Sequence, residues 1–327
     1  MSARPPICPA SDNRARPDHP VILEILRRAI RGGQGGDVGN PDTKLGLVVE
    51  GGGMRGVMSG GSLIAMERLG LTSVFDEVYA ESAGAINACY FLGGEAAFGG
   101  RIYLEDLTSV RFMNPMRRGK LLDVDFLVDH VMSRVRPLPV ARVIQARSRL
   151  FVSLTNVNDG MGRVVDVKKE SVPLLTLLKA TAAIIPLYNR SVALEGVPYA
   201  DGGIADPIPV RTAINNGCTH ILVLLTRPPD FVARPYRGLQ RLILKIMLRR
   251  WDRRFVDAFF NVRYRRYNEA RALAFGRVAP PPGVELAVIC PASTTPMVTR
   301  TTISHRRLQA GMDDSIARTT ALFQMGT

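Results

Sequence analysis

Short apolar segments alternate with helical patterns along the middle of the chain, and this alternation limits the possible folds more than any other feature. Buried strands are predicted at Leu45–Val49, Phe75–Tyr79, Leu150–Leu154 and Val164–Val167. Helical patterns of apolar residues lie between most of them, and the alternation continues to residue 225. This alternation is typical of a fold in which helices cover both faces of a parallel sheet. The sequence therefore predicts an α/β protein: a three-layer α/β/α sandwich with a mostly parallel central sheet.

Composition divides the chain into three parts. Residues 1–43 are predicted to contain a disordered N-terminus (residues 1–20), a short helix over Val21–Arg31 and a Gly-rich linker. Residues 44–226 carry the strand–helix alternation and form the predicted main domain. Residues 227–327 contain a basic helical segment, then one strand and one helix, which we expect to pack on the same domain. The segment 101–147 is predicted to be mostly helical and to form a cap.

The chain is strongly basic, with 43 Lys and Arg against 29 Asp and Glu and a formal net charge of +14. This charge predicts attraction to a nucleic acid, an anionic membrane surface or an acidic substrate. No nucleic-acid-binding motif is recognisable, so a nucleic acid is not expected. No apolar segment approaches the roughly 18 residues of a membrane-spanning helix, and the N-terminus lacks the apolar stretch of a signal peptide. With four widely spaced cysteines, this predicts a cytoplasmic protein, with peripheral membrane association as the alternative.

The segment Tyr79–Ala85 places a serine between small residues where a predicted strand meets a predicted helix. A tight turn of the pattern G-x-S-x-G projects a nucleophilic serine in many hydrolases, with the helix N-terminus facing the reacting carbonyl. Ser82 has the nucleophile position, although Ala80 stands where the pattern has its first glycine. A serine that only caps the helix is the alternative.

Consecutive glycines at Gly51–Gly53 also lie between a predicted strand and a predicted helix. Such a loop lets backbone N–H groups converge on one point, which suits a phosphate cradle or an oxyanion hole. A plain turn is the third alternative. The spacing does not match G-x-G-x-x-G, and a glycine loop followed by a serine elbow favours the oxyanion hole.

Asp201 follows the predicted strand Val192–Tyr199 and precedes two glycines. Asp-Gly-Gly is often only a turn. However, this aspartate lies at the end of a predicted strand, and α/β enzymes often place reactive groups at that position. Asp206, further along the same loop, is predicted to be a structural turn residue.

These three segments, in this order, resemble the patatin-like phospholipase family over roughly residues 44–226, and Ala180–Pro186 is similar to that family's stretch ahead of its catalytic aspartate. The resemblance implies a lipid acyl hydrolase of the phospholipase A or lysophospholipase type. In it, Ser82 attacks a lipid ester and Asp201 accepts the proton, with no metal and no cofactor. The predicted oxyanion-hole residues are Gly51, Gly52, Gly53, Met54 and Ala83. Arg55 is predicted to orient a phosphate head group, with a structural salt bridge as the alternative.

Two other functions stay open at this point. A Ser-His-Asp esterase would need a histidine, and His305 is the best placed of the four in the chain. A dyad does not need it, because a carboxylate within hydrogen-bonding reach can act as the base. The second open function is that of a lipid- or membrane-binding protein on the same fold that has lost catalysis. It stays open because Ala80 departs from the elbow pattern.

Basic residues recur at every fourth position in the segment 231–275 and predict a cationic ridge along one helix. They are Arg237, Arg241, Lys245, Arg249 and Arg253. An apolar stripe that includes Leu239, Leu242 and Ile246 runs beside them. This pattern predicts peripheral association with an anionic membrane. A core-packed helix with a solvated basic face is the alternative.

Overall fold

The computed structural model describes residues 13–33, 42–117 and 119–324. Its strands lie close to the apolar segments of the sequence. The strands are β1 Leu45–Val49, β2 Glu77–Ala80, β3 Arg149–Asn156, β4 Gly162–Asp166, β5 Val192–Leu194, β6 Val197–Asp201, β7 His220–Leu224 and β8 Glu285–Ile289. They form one sheet in the order β5-β6-β3-β2-β1-β7-β8, with β4 paired to β3. Strands β3, β2, β1, β7 and β8 are parallel neighbours, whereas β4, β5 and β6 pair antiparallel.

Helices cover both faces of this sheet. They are α1 Pro20–Gly33, α2 Gly56–Arg68, α3 Ser82–Leu92, α4 Ala96–Gly100, α5 Val140–Gln145, α6 Leu174–Thr181, α7 Val210–Asn215, α8 Gly238–Leu248, α9 Arg253–Asp257, α10 Arg263–Ala274 and α11 His305–Gln324. Alternate residues of β1 point to opposite faces: Leu47 and Val49 pack with α2, α3 and α11, while Val48 packs with α7 and α10. Burial of each such side chain contributes about 1.5–3 kcal/mol. The predicted three-layer, mostly parallel α/β fold is confirmed.

Strand β3 brings two distant parts of the chain together at one edge. Strand β2 pairs with the first half of β3 and ends with Ala80 opposite Val152. Strand β6 pairs antiparallel with the second half and ends with Asp201 opposite Leu154. Strand β4 occupies the other edge of β3 throughout, so β2 and β6 share one edge and their carboxyl ends meet there. The residues that follow β2 and those that end β6 are therefore neighbours.

Helix α1 is fixed to the sheet by a fully buried arginine, Arg28. Its Nε donates to Glu24 Oε1 at 2.8 Å, and its Nη1 donates to Asp76 Oδ2 at 2.8 Å and to the carbonyl of Val74 at 3.0 Å. Its Nη2 donates to the carbonyl of Thr43 at 2.8 Å. The guanidinium therefore ties α1 to the segments that precede β1 and β2.

Three sequence predictions about the fold need correction. Residues 1–12 and 34–41, within the predicted disordered N-terminus and linker, lie outside the described residues. Residues 13–15, however, pair with Val288 of β8, where the sequence predicted disorder. The segment 101–147 contains irregular backbone at 107–117 and 119–123, besides helical turns at Ile102–Asp106, Phe126–Val135 and α5. The predicted strand 192–199 is a hairpin, because Glu195 and Gly196 adopt positive φ of 50° and 80° and reverse the chain.

The prediction that the five basic residues of the cationic ridge lie along one helix is wrong. Helix α8 ends at Leu248, with Arg249 as its C-cap. The backbone then turns, and Asp252 caps α9 by accepting a hydrogen bond from the N–H of Arg254 at 2.8 Å. Arg253 therefore belongs to a different helix. Only Arg241 and Lys245 lie within α8, and Arg237 is its N-cap.

Candidate active site

Ser82 lies on a strained turn between β2 and α3. Its φ is 53°, a left-handed conformation that is rare for residues other than glycine and is found at nucleophile elbows. The turn is tight, because a Cβ on Gly84 would lie 2.4 Å from the carbonyl oxygen of Val49. Ala80 is fully buried in β2, so its methyl group fits the core and the elbow forms without the usual first glycine. The N–H of Ser82 donates to Thr181 Oγ1 at 2.9 Å, which fixes the turn against α6.

Asp201 is buried at the end of β6 in the same cavity as Ser82. Its Oδ1 accepts a hydrogen bond from the N–H of Gly203 at 2.8 Å. Its Oδ2 is buried and makes no hydrogen bond to any residue that the structure describes. Burial raises the pKa of Asp201, while the nearby Ser82 hydroxyl and the charges of Arg300 and Arg263 oppose that rise. The free oxygen of Asp201 is an acceptor and the hydroxyl of Ser82 is a donor, and both residues line the same cavity.

Glu81, directly before the serine, is a second buried carboxyl at this site. Its Oε1 accepts a hydrogen bond from the N–H of Gly51 at 2.8 Å. Burial, and then the negative charge of Asp201, raise its pKa well above the ordinary value. Glu81 therefore takes up a proton more readily than an exposed glutamate.

The glycine loop supplies backbone donors, but not all of those predicted. The N–H of Gly51 is occupied by Glu81, and the N–H of Met54 donates to the carbonyl of Arg300 at 3.2 Å. The prediction that Gly51 and Met54 donate to an oxyanion is therefore wrong in this conformation. The N–H groups of Gly52, Gly53 and Ala83 have no partner within the described part of the chain.

The glycines of this loop are required by their surroundings. Gly52 and Gly53 adopt φ of 128° and 62°. A Cβ at Gly52 would lie 2.3 Å from the guanidinium of Arg55, and one at Gly53 would lie 2.9 Å from the carbonyl of Arg300. Gly53 and Ala83 line the same cavity as Ser82, so their free N–H groups adjoin the serine.

Arg55 is buried beneath the loop, not on its surface. Its Nε donates to Thr226 Oγ1 at 3.4 Å, and its Nη2 lies 3.8 Å from Glu50 Oε1. Its Nη1 is buried without a hydrogen-bond partner among the described residues. The predicted salt bridge is thus present but long, and one donor is left for another group. Orientation of a head group by Arg55 stays a prediction.

An apolar cavity of about 40 Å³ extends from Ser82 between α3 and the cap segment. Its lining includes Ile86, Ile102, Leu107, Phe112, Val124 and Leu127. On the other side of Ser82, a small cavity is lined by Asp201, Glu81 and three arginines, Arg55, Arg263 and Arg300. Glu50 also lines the second cavity, so the serine lies between an apolar compartment and one lined by three carboxyl groups and three arginines.

No histidine among the described residues lines either of the two cavities beside Ser82. His305 is exposed at the start of α11. His130 is stacked on Phe126 in the cap segment. The structure therefore does not bring His305 to the serine as the Ser-His-Asp alternative requires. Nor do the described residues contain a cluster of three or more His, Cys, Asp or Glu side chains that could hold a metal ion.

The model of the patatin-like phospholipase family matches residues 47–214, about half of the chain. The chain belongs to the patatin-like phospholipase family. It is 30% identical over 198 residues to the protein YjjU of Escherichia coli (strain K12), an alignment that covers 59% of this chain and 54% of YjjU. The match thus spans just over half of that relative's length.

Two solved structures are similar to this patatin-like chain. VipD from Legionella pneumophila has a TM-score of 0.48 at 13% identity, covering 86% of this chain and 67% of VipD. Human GIVD cytosolic phospholipase A2, in complex with a fluorophosphonate inhibitor, has a TM-score of 0.45 at 14% identity, covering 94% of this chain and 63% of the human protein.

Four residues at the site were missed by sequence reasoning. Glu81 and Thr181 lie within segments that were singled out, but their burial beside Ser82 is visible only in the structure. Arg263 and Arg300 come from the C-terminal part of the chain, beyond the match to the patatin-like family model. Their arrival at the site depends on how α10 and the segment before α11 pack, which no local pattern shows.

Proposed function

We propose that this patatin-like protein is a lipid acyl hydrolase, a carboxylic ester hydrolase that uses Ser82 and Asp201 as a dyad. The observation that supports it best is the meeting of the two strand ends on β3. It places a serine with a φ of 53° beside a carboxylate with an unpaired oxygen. The formed elbow argues against the impaired alternative, which depended on Ala80.

In the proposed reaction, Ser82 Oγ attacks the ester carbonyl carbon while its proton passes to Asp201. The N–H groups of Gly53 and Ala83 stabilise the oxyanion that forms. When the intermediate collapses, the ester C–O bond breaks and the alcohol leaves with the proton from Asp201. Water then attacks the acyl-serine and gives a proton to Asp201. The second collapse releases the fatty acid and returns the proton to Ser82. The apolar cavity would hold the acyl chain.

A fluorophosphonate probe tests this proposal directly, because it phosphonylates an activated serine. We expect wild-type protein to gain one probe mass on the peptide containing Ser82 and to hydrolyse p-nitrophenyl acyl esters. Ser82→Ala should show neither, and His305→Ala should retain both. An unlabelled, inactive but folded wild type would contradict the proposal and favour the impaired alternative. Loss of labelling in His305→Ala would favour the triad.

We also propose that helix α8 binds an anionic membrane surface and presents the site to it. Leu239, Leu242 and Ile246 are 71%, 53% and 58% exposed on this helix, which also carries Arg241 and Lys245. Exposed apolar side chains beside basic ones are the pattern of an interfacial helix. A cavity of about 240 Å³ lies under α8, and Asp201 and Arg300 are among its lining residues. The described residues include no helix long and apolar enough to cross a bilayer.

Vesicle sedimentation tests the role of α8. Wild-type protein should bind vesicles that contain phosphatidylglycerol at low salt, and binding should weaken as salt rises. The double variant Leu239→Ser/Ile246→Ser should bind roughly tenfold or more weakly, because it removes two apolar side chains from the interface. Met297→Ser is the control, since Met297 is 72% exposed but lies outside α8. Equal binding by the double variant and the control would contradict this role.

A further inference from the structure

Another cavity, of about 160 Å³, adjoins the charged cavity of the proposed catalytic site. Five arginines line this cavity, which we call the arginine pocket: Arg55, Arg227, Arg234, Arg263 and Arg300. No acidic side chain is found among the described residues that line it. Three of the five, Arg55, Arg263 and Arg300, also line the cavity that contains Ser82 and Asp201. A group bound in the arginine pocket would therefore adjoin the reacting ester.

Two donors of the arginine pocket are buried without acceptors. Arg55 is 3% exposed, and its Nη1 has no hydrogen-bond partner among the described residues; the same holds for the buried Nε of Arg300. The nearby Glu50 does not satisfy them. Its oxygens already accept from the N–H of Thr226 at 2.6 Å and the hydroxyl of Tyr267 at 2.9 Å. Unpaired buried donors are costly, so these groups favour an acceptor from outside the chain.

The guanidinium groups also repel one another. Burial, and then the charges of Arg263 and Arg55, lower the pKa of Arg300 to about 9. Burial, and then the charge of Arg55, lower the pKa of Arg227 to about 10. An anion would relieve this repulsion, and a phosphate has enough acceptor oxygens for several arginines.

The aromatic side chains of the pocket do not suit a choline head group. A quaternary ammonium binds the open faces of aromatic rings. Here Arg227 lies over Phe231 at 3.9 Å from the ring centroid, Arg263 lies over Phe259 at 5.8 Å, and Arg271 lies over Tyr267 at 5.7 Å. Guanidinium groups thus already cover these faces, and their charge would repel a second cation.

We infer that the arginine pocket binds the phosphate of the lipid substrate and selects glycerophospholipids with a net negative head group over those with choline. This rests on the proposed function, since the selected lipid is the ester that Ser82 would cleave. Arg227, Arg263 and Arg300 come from the C-terminal part of the chain, so this part sets the head-group preference. An anionic lipid head group and a soluble phosphate ester share the chemistry that this pocket would bind, a phosphate ester without a neighbouring cation.

Matched lysolipids with one acyl chain test the selection. We expect kcat/KM for the lysophosphatidate and lysophosphatidylglycerol to exceed that for the lysophosphatidylcholine by at least about tenfold. In Arg300→Gln and in Arg227→Gln, this ratio should fall by about tenfold. Arg101→Gln is the control, because Arg101 is an exposed arginine that pairs with Glu105 far from the pocket in sequence. Equal rates on all three lipids in the wild type would overturn the inference.

Binding to the Ser82→Ala protein separates this inference from the proposed function, because it needs no catalysis. Glycerol 3-phosphate should bind by calorimetry and raise the Tm, and glycerophosphocholine should bind at least about tenfold more weakly. Adding Arg300→Gln or Arg227→Gln should abolish the difference, whereas adding Arg101→Gln should keep it. Absent binding of glycerol 3-phosphate would overturn the inference even if the esterase is active. Binding of glycerol 3-phosphate together with equal rates on all three lipids would show a site for a soluble phosphate and overturn the lipid selection.

Discussion

Asparagine at position 201 is expected to lower kcat for acyl esters by roughly 10²–10⁴-fold, the contribution typical of a general base. The amide keeps an oxygen that can accept the N–H of Gly203, so the loop retains its hydrogen bond. It cannot take the proton of Ser82. Because burial raises the pKa of Asp201, the buried charge opposes folding, and the neutral amide should not lower the Tm.

Asp206→Asn is the matched control for Asp201→Asn. Asp206 lies in the same loop, and its Oδ2 accepts from Thr212 Oγ1 at 2.8 Å. It is predicted to be structural, so kcat should stay within about tenfold of the wild type. A similar loss of kcat in both variants would contradict the assignment of Asp201 as the base.

The pH profile gives a second readout of the same residue. A base must be ionised, so kcat/KM should fall as pH falls through the pKa of Asp201. Burial raises that pKa, which places the acid limb above the ordinary range of aspartate. The limb should be absent in the residual activity of Asp201→Asn.

Alanine at position 28 should lower the free energy of unfolding by about 3–5 kcal/mol, as expected for breaking a buried ion-pair network. Arg28 is fully buried and joins α1 to Asp76 and to the carbonyls of Val74 and Thr43. Removing it leaves these groups without their donor. Urea unfolding followed by circular dichroism measures the change.

Arg27→Ala is the control for Arg28→Ala. Arg27 pairs with the same glutamate, Glu24, at 2.7 Å, but its side chain is 31% exposed. Water reaches the partly exposed Arg27, so this pair should contribute less than the buried network, and Arg27→Ala should lose much less stability than Arg28→Ala. Equal destabilisation by the two variants would show that the buried network does not anchor α1.

The sequence was sufficient for the strand–helix order and for the family, but not for the partners of individual groups. The apolar segments at β1 and β7 are short and continuous, which is typical of parallel strands that are buried on both faces. The prediction of Val192–Tyr199 as one strand was wrong because Glu195 and Gly196 interrupt its apolar residues and form a turn between β5 and β6. That turn depends on positive φ at Glu195 and Gly196.

Non-local contacts account for the corrections at the site itself. The N–H of Gly51 looked free in a glycine loop, but Glu81 from the elbow accepts it; the N–H of Met54 is taken by the carbonyl of Arg300. Neither partner is close in the sequence. The basic ridge was predicted from a four-residue repeat, which cannot detect that α8 ends at Leu248 and that Asp252 starts another helix.

The shared edge of β3 has a consequence for biosynthesis. Ser82 and its elbow leave the ribosome well before β6, and the carboxylate of Asp201 reaches the serine only when β6 pairs with the second half of β3. Pairings between distant segments are slow compared with local ones. On the proposed mechanism, a nascent or truncated chain therefore has a nucleophile without a base. On that mechanism, lipid cleavage would begin only after β6 has paired with β3, so a chain that ends before β6 would not attack the membranes around it.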